Sequence, residues 1–114
     1  MKYKILKDQT LVHEGVTLYR IQALKDFGNV KKGDLGGWIE KEENLGQEGE
    51  CWVSGDAWIY GNARVFEDAR VYGHAKVYGN TGVYSNARTF YIINNHRICN
   101  RTIVSISNSY RIIS

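Results

Sequence analysis

The sequence predicts an all-β, single-unit fold: a short triangular solenoid of parallel β-strands with an N-terminal cap. Three observations point there. A six-residue repeat runs without insertion from Gly49 to Phe90, the chain holds no proline, and it carries 12 glycines and 8 tyrosines. At 114 residues the chain is long enough for one modest core and no more. The expected division is a cap over 1–48, a repeat region over 49–90, and a degenerate last coil or second cap over 91–114.

The cap segment comes first. TLVHEGVTLYRIQAL reads as a hairpin turning at Glu14-Gly15, with apolar and polar residues alternating from Thr17 to Leu24. KDFGNVKKGDLGGWIEKEENL is rich in glycine and charge, which marks a loop, with a short strand at Trp38-Ile39. The end of a solenoid exposes both its core and a row of unpaired strand edges, so covering that end is the role expected of 1–48. The acidic run Glu40, Glu42, Glu43 reads as a solvated face of the loop, or alternatively as a charged patch for a partner.

The repeat reads GECWVS, GDAWIY, GNARVF, EDARVY, GHAKVY, GNTGVY, SNARTF. Its third place is always small: Cys51, Ala57, Ala63, Ala69, Ala75, Thr81, Ala87. Its fifth is always β-branched: Val53, Ile59, Val65, Val71, Val77, Val83, Thr89. The sixth is aromatic in six of the seven repeats. Six residues are too few for a helical unit but suit a short strand and a corner. Side chains alternate along a strand, so places three and five face inward while four and six face outward. Gly-Asn and Gly-Asp at places one and two supply the bend. Three such sides make one coil, and successive coils pair as parallel sheet.

After Phe90 the register slips by three residues at Tyr91-Ile92-Ile93, and weaker sixes resume as NNHRIC, NRTIVS and ISNSYR. This tail has no Asp or Glu and contains Arg97, Arg101 and Arg111. A degenerate last coil is expected, with a swapped or dimer-forming segment as the alternative.

The pattern Val65-x-x-x-Ala69 and Val71-x-x-x-Ala75 resembles the hexapeptide-repeat parallel β-helix family, in which a small residue follows an aliphatic one four places later. The resemblance implies a left-handed coil, against the usual right-handed crossover. Where that family usually places a small residue just after the aliphatic one, this chain has Tyr or Phe. Residues 16–90, and LGGWIE above all, also resemble short phage and prophage proteins. That second resemblance implies a phage accessory factor that binds and inhibits a host protein, such as a defence nuclease complex, in the host cytoplasm.

Many hexapeptide proteins are acyltransferases, so that resemblance also supplies an enzymatic alternative. It implies a catalytic histidine in a cleft between subunits, more coils, and a loop protruding from the solenoid. The candidates are His13, His74 and His96. His74 stands at a corner place held elsewhere by Asn or Asp, which suits a corner hydrogen bond, and no loop interrupts Gly49–Phe90. The expectation is therefore a chain that is not an enzyme. No GxSxG, P-loop or dinucleotide-binding fingerprint is present, and no cofactor is expected. Cys51 and Cys99 make no CxxC and no His/Cys cluster, so neither a zinc site nor a disulfide scaffold is indicated, and Cys51 fills an inward place as a core thiol. The N-terminal MKYKILKDQT lacks the long apolar run of a signal peptide and no apolar run reaches membrane length, so a cytoplasmic protein with no membrane partner is expected.

With three sixes per coil, residues eighteen apart stack. One side then carries Trp52, Arg70 and Arg88 in one column and Ser54, Tyr72 and Phe90 in the next. A second side carries Trp58 over Lys76 and Tyr60 over Tyr78, and the third carries Arg64 over Gly82 and Phe66 over Tyr84. Such ladders stabilise a small solenoid by themselves. They also have the composition of a protein-binding face, where Tyr, Trp and Arg dominate the energetics. A nucleic-acid face is the third alternative, since Arg64, Arg70, Lys76 and Arg88 alternate with rings. Against it, Asp56, Glu67 and Asp68 interrupt the field and the net charge is only +3. Ice binding is excluded, because Thr81 and Thr89 both lie at inward places. The predicted contact residues are Trp52, Arg70, Arg88, Tyr72 and Phe90 on the richest side, with Trp38 in the cap. A homo-oligomer, dimer or trimer, is expected because so short a coil has little core for its exposed surface.

Overall fold

The computed structural model describes residues 1–90, 92–95, 97–99 and 102–105. Strands β1 (Tyr3–His13) and β2 (Val16–Ala23) form an antiparallel hairpin. Its two-residue turn is Glu14-Gly15, with φ of 48° and 82°, the double positive φ that matches the twist of the flanking strands. β2 pairs antiparallel with β3 (Leu35–Ile39). The coil continues as β4 (Trp52–Val53), β5 (Trp58–Ile59), β6 (Arg64–Val65), β7 (Arg70–Val71), β8 (Lys76–Tyr78), β9 (Gly82–Tyr84), β10 (Arg88–Thr89), β11 (Ile92–Asn94), β12 (Arg97–Cys99) and β13 (Thr102–Ser105). The described residues contain no α-helix, only a 3-10 turn at Glu42–Asn44.

Three sides wrap the core as the period requires. Side one stacks β3, β5, β8 and β11, with β2 and β1 extending the same sheet; side two stacks β4, β7 and β10; side three stacks β6, β9 and β12. Coil-to-coil pairing within each side is parallel. Every third-place and fifth-place residue of the seven repeats is buried, with Thr81 the most exposed of them at 2%. All seven first-place residues adopt positive φ, including Glu67 (59°) and Ser85 (56°) beside five glycines. At most corners the third-place amide donates to the sixth-place carbonyl before the turn, as Ala57 does to Ser54 at 3.3 Å. At Thr81 the hydroxyl donates instead to the Tyr78 carbonyl, at 2.6 Å.

The parallel ladder begins earlier than Gly49, because β3 is already part of the first coil: Trp38 pairs with Trp58, and Leu45 bridges to Val65. These partners are twenty residues apart, not eighteen, so the extra two residues near Gln47–Glu48 hide the first coil from a six-residue count. The last coil is short in compensation. Ile92 pairs with Lys76 and Arg97 with Gly82, separations of sixteen and fifteen. NNHRIC therefore continues the coil, with Ile98 opposite Val83. NRTIVS does not: β13 turns back antiparallel on β12 and covers the edge that the last coil leaves. The segment ISNSYR, His96, Arg101 and Arg111 lie outside the described residues.

The hairpin and loop share one core with the coils: Tyr3, Ile21, Ala23 and Val30 join the fifth-place column. Tyr3 donates its hydroxyl to the carbonyl of Leu45 at 2.6 Å. Lys2 is buried, and its ammonium donates to the carbonyl of Cys51 at 2.7 Å and lies 3.2 Å from the Cys51 sulfur. Burial pushes the Lys2 amine below its ordinary value, partly offset by Cys51. Cys51 is thus a core thiol under the cap.

Candidate binding face

Side two assembles most of the predicted contact residues. Its parallel register sets Arg70 between Trp52 and Arg88, one rung apart on each side. Two residues further along the chain, Tyr72 and Phe90 stand side by side, ring centroids 5.7 Å apart and tilted by 34°. Both rings reach solvent, Tyr72 at 38% and Phe90 at 53% exposure. A cleft of about 680 Å³ opens over this side, lined by Trp52, Ser54, Arg70, Tyr72 and Arg88 and walled by Asn29 and Asp34 from the cap loop and Leu35 at the start of β3.

Trp52 is the most covered of the predicted contact residues on this side. It points outward from the coil, yet is only 4% exposed, because the ring of Phe27 meets it edge-on at 5.3 Å and Tyr3 at 6.4 Å. It joins the core cluster and lines the cleft. Trp38, half-buried, sits elsewhere. It lies on side one, where Arg20 covers its ring at 4.6 Å, so the structure does not bring it to the other five.

The two arginines are held differently. Arg70 is half-buried and donates to the Asn29 side chain at 3.0 Å, tying the loop to the coil. Burial, then the neighbouring Arg88, lowers its pKa; Glu50, Cys51 and Asp68 act the other way. Arg88 is exposed, and one of its terminal nitrogens donates to the carbonyls of Asn86, Asp68 and Ala87 at 2.8 to 3.1 Å.

Side one is occupied by its own pairs. Lys76 lies over Trp58 at 4.3 Å, Tyr60 stacks on Tyr78 at 5.0 Å, and His13 from the hairpin covers Trp58 at 4.8 Å. His13 also lies 3.7 Å from the Glu14 carboxylate. His74 stands on an exposed corner, 3.8 Å from Asp56. On side three Phe66 stacks on Tyr84 at 5.2 Å. Among the described residues no cluster of three His, Cys, Asp or Glu side chains forms a metal-binding group, and no helix is long and apolar enough to cross a membrane. The residues that sequence reasoning missed are Phe27, Asn29 and Asp34 of the loop and Leu35 at the start of β3: they carry no periodic signal, and only their packing on side two reveals them.

No family model matches the chain. It is 37% identical over 59 residues to the uncharacterized acetyltransferase YdcK of Escherichia coli K12. The match covers 46% of this chain, and the chain spans only 18% of that relative's length. This similarity and the β-solenoid agree with the resemblance to hexapeptide-repeat β-helix proteins. The expectation of a chain that is not an enzyme is overturned, because the similar protein is named an acetyltransferase. The resemblance to phage and prophage proteins gains nothing from this match.

Proposed function

We propose that the chain is a binding β-solenoid that receives a partner protein on side two, with Arg70, Tyr72, Arg88 and Phe90 as its contact residues. The observation that carries this is the concentration on one flat ladder of two exposed rings and two arginines beside a walled cleft. Exposed aromatic and arginine side chains in a partly enclosed site are the anchors that dominate protein interfaces. In the setting that the LGGWIE resemblance implied, the partner is a host protein and the chain a phage accessory factor that blocks it. A second copy of the chain is the other protein that this side fits.

Tyr72→Ala with Phe90→Ala tests the proposal without touching the Arg70–Asn29 tie. Tagged protein retains one stoichiometric protein partner from nuclease-treated bacterial lysate, and the double variant loses it with an unchanged circular dichroism spectrum. Retention of the partner by the folded variant sinks the proposal.

Acetyl transfer is the second reading, and the named relative is what favours it. His13 and His74, each beside a carboxylate, are the imidazoles available as a base among the described residues. Incubation with acetyl-CoA and a panel of amine and hydroxyl acceptors, following thiol release, tests it. Release that survives His13→Ala and His74→Ala removes both residues from that role.

A further inference from the structure

We infer that the partner presents an acidic, extended segment to side two, placing a carboxylate between Arg70 and Arg88 and an apolar or aromatic side chain against Tyr72, Phe90 and Leu35. This rests on side two being the partner-binding side. Several cations of this molecule are covered from within. Lys2, Lys7, Arg20 and Lys76 each lie over an aromatic ring of the chain, at 4.3 to 4.9 Å from its centroid. Arg70 and Arg88 do not, and unlike other uncovered cations such as Lys4 and Arg64, which pair with Gln22 and Gly82, they face each other in register across one rung. The acceptors of Arg70 and Arg88 are a carboxamide and three backbone carbonyls, all neutral, and among the described residues no ion pair involves either.

The register makes this pair costly in isolation, since like charges directly opposite on neighbouring strands destabilise a sheet. The strands of one side lie about 4.8 Å apart, close enough for one carboxylate to bridge two guanidinium groups. Such charge-assisted bonds are about twice as strong as neutral ones. The lining of the cleft selects among anions. Asp34 lies in its wall, and Glu50 and Asp68 act on Arg70 from beside it. A nucleic-acid strand brings a dense row of phosphates past these acids. A peptide with single carboxylates between apolar residues meets the arginine pair and leaves the acids clear.

The probe is a short dye-labelled peptide alternating Glu with Tyr, compared by fluorescence anisotropy with its Gln-and-Tyr counterpart. The Glu peptide binds at least about tenfold more tightly, as loss of a charged hydrogen-bond partner implies, and added salt erodes the difference. Arg88→Gln brings the two peptides to equal affinity. Because Arg88 also holds backbone carbonyls, Arg88→Lys is the companion variant: it keeps the charge and keeps a preference for the Glu peptide. Equal binding of both peptides by the wild-type protein, loss of the preference in folded Arg88→Lys, or tighter binding of single-stranded oligothymidylate overturns the inference. If the peptides fail while Tyr72→Ala/Phe90→Ala still loses its lysate partner, the acidic class falls and side two stands. If both fail, the binding side itself is wrong.

Discussion

Replacing Gly55 with Ala measures what the corners of this solenoid demand. Gly55 has φ +64°, and a Cβ built there lies 3.1 Å from the Gly73 carbonyl oxygen and 3.3 Å from the Gly73 nitrogen, both backbone atoms of the next coil. The left-handed conformation costs an L-residue about 1–2 kcal/mol. The crowding adds to that, while the stiffer unfolded chain returns about 0.4–1 kcal/mol, so the net loss is about 1.5 kcal/mol. At roughly 4 °C per kcal/mol for a domain of this size, the thermal midpoint falls by about 6 °C. Urea unfolding followed by far-ultraviolet circular dichroism gives the same quantity at constant temperature. Glu67 supplies an internal comparison, because it holds the same corner place at φ 59° and its carboxylate accepts the Ser85 amide at 2.8 Å. Glu67→Ala and Glu67→Gly both lose that bond, but only the alanine keeps the strain. Glu67→Gly is therefore the more stable of the two by about 1 kcal/mol. A neutral Gly55→Ala together with equal Glu67 variants refutes the view that corner backbone, rather than corner side chains, sets the period.

Two further outcomes follow from the cap. Gly37→Ala destabilises by about 1–3 kcal/mol, since its Cβ would lie 2.7 Å from both the Ala57 carbonyl oxygen and a Val53 methyl; equilibrium unfolding against wild type checks this. Tyr3→Phe strands a buried carbonyl at Leu45 and costs about 1–2 kcal/mol at neutral pH. Burial, and then Glu42, raises the Tyr3 phenol above its ordinary value of 10.0. The folded state then binds more protons than the unfolded state once pH passes 10, so stability held at lower pH is lost as pH rises. Phenylalanine has no proton to lose, and the gap between the two proteins narrows above that pH in urea titrations. Lys2 has the opposite sign: its folded value is lowered from 10.5, so stability rises as pH climbs toward 10.5. Lys2→Met abolishes that rise.

The coil was legible in the sequence because its constraint is strictly local and strictly periodic. Only small residues fit at place three and only β-branched ones fill place five, so Ala57 to Ala87 and Val53 to Thr89 announce the core before any contact is known. The stacked columns followed from the same count, and Tyr60 on Tyr78 or Phe66 on Tyr84 are where eighteen-residue spacing puts them. The burial of Trp52 was not legible, because alternation tells which way a side chain points, not what lies over it. The ring that covers it, Phe27, belongs to a loop whose path is fixed by single contacts, such as the pairing of Phe27 with Val30 and the Arg70–Asn29 bond. The cleft walls were invisible for the same reason.

The unequal coils give the stack a direction and an address. A ladder of identical eighteen-residue turns is degenerate: a strand displaced by a whole coil finds the same neighbours, and nothing local rejects the error. Here the turn next to the cap spans twenty residues and the last spans sixteen and then fifteen. A strand docked one storey too high or low must then stretch or buckle its corner. The molecule therefore carries its own vernier, and only its middle is interchangeable. An eighteen-residue unit duplicated after Tyr72 would lengthen the tube and add one rung to every column, the arginine ladder included, while each end still recognised its own place.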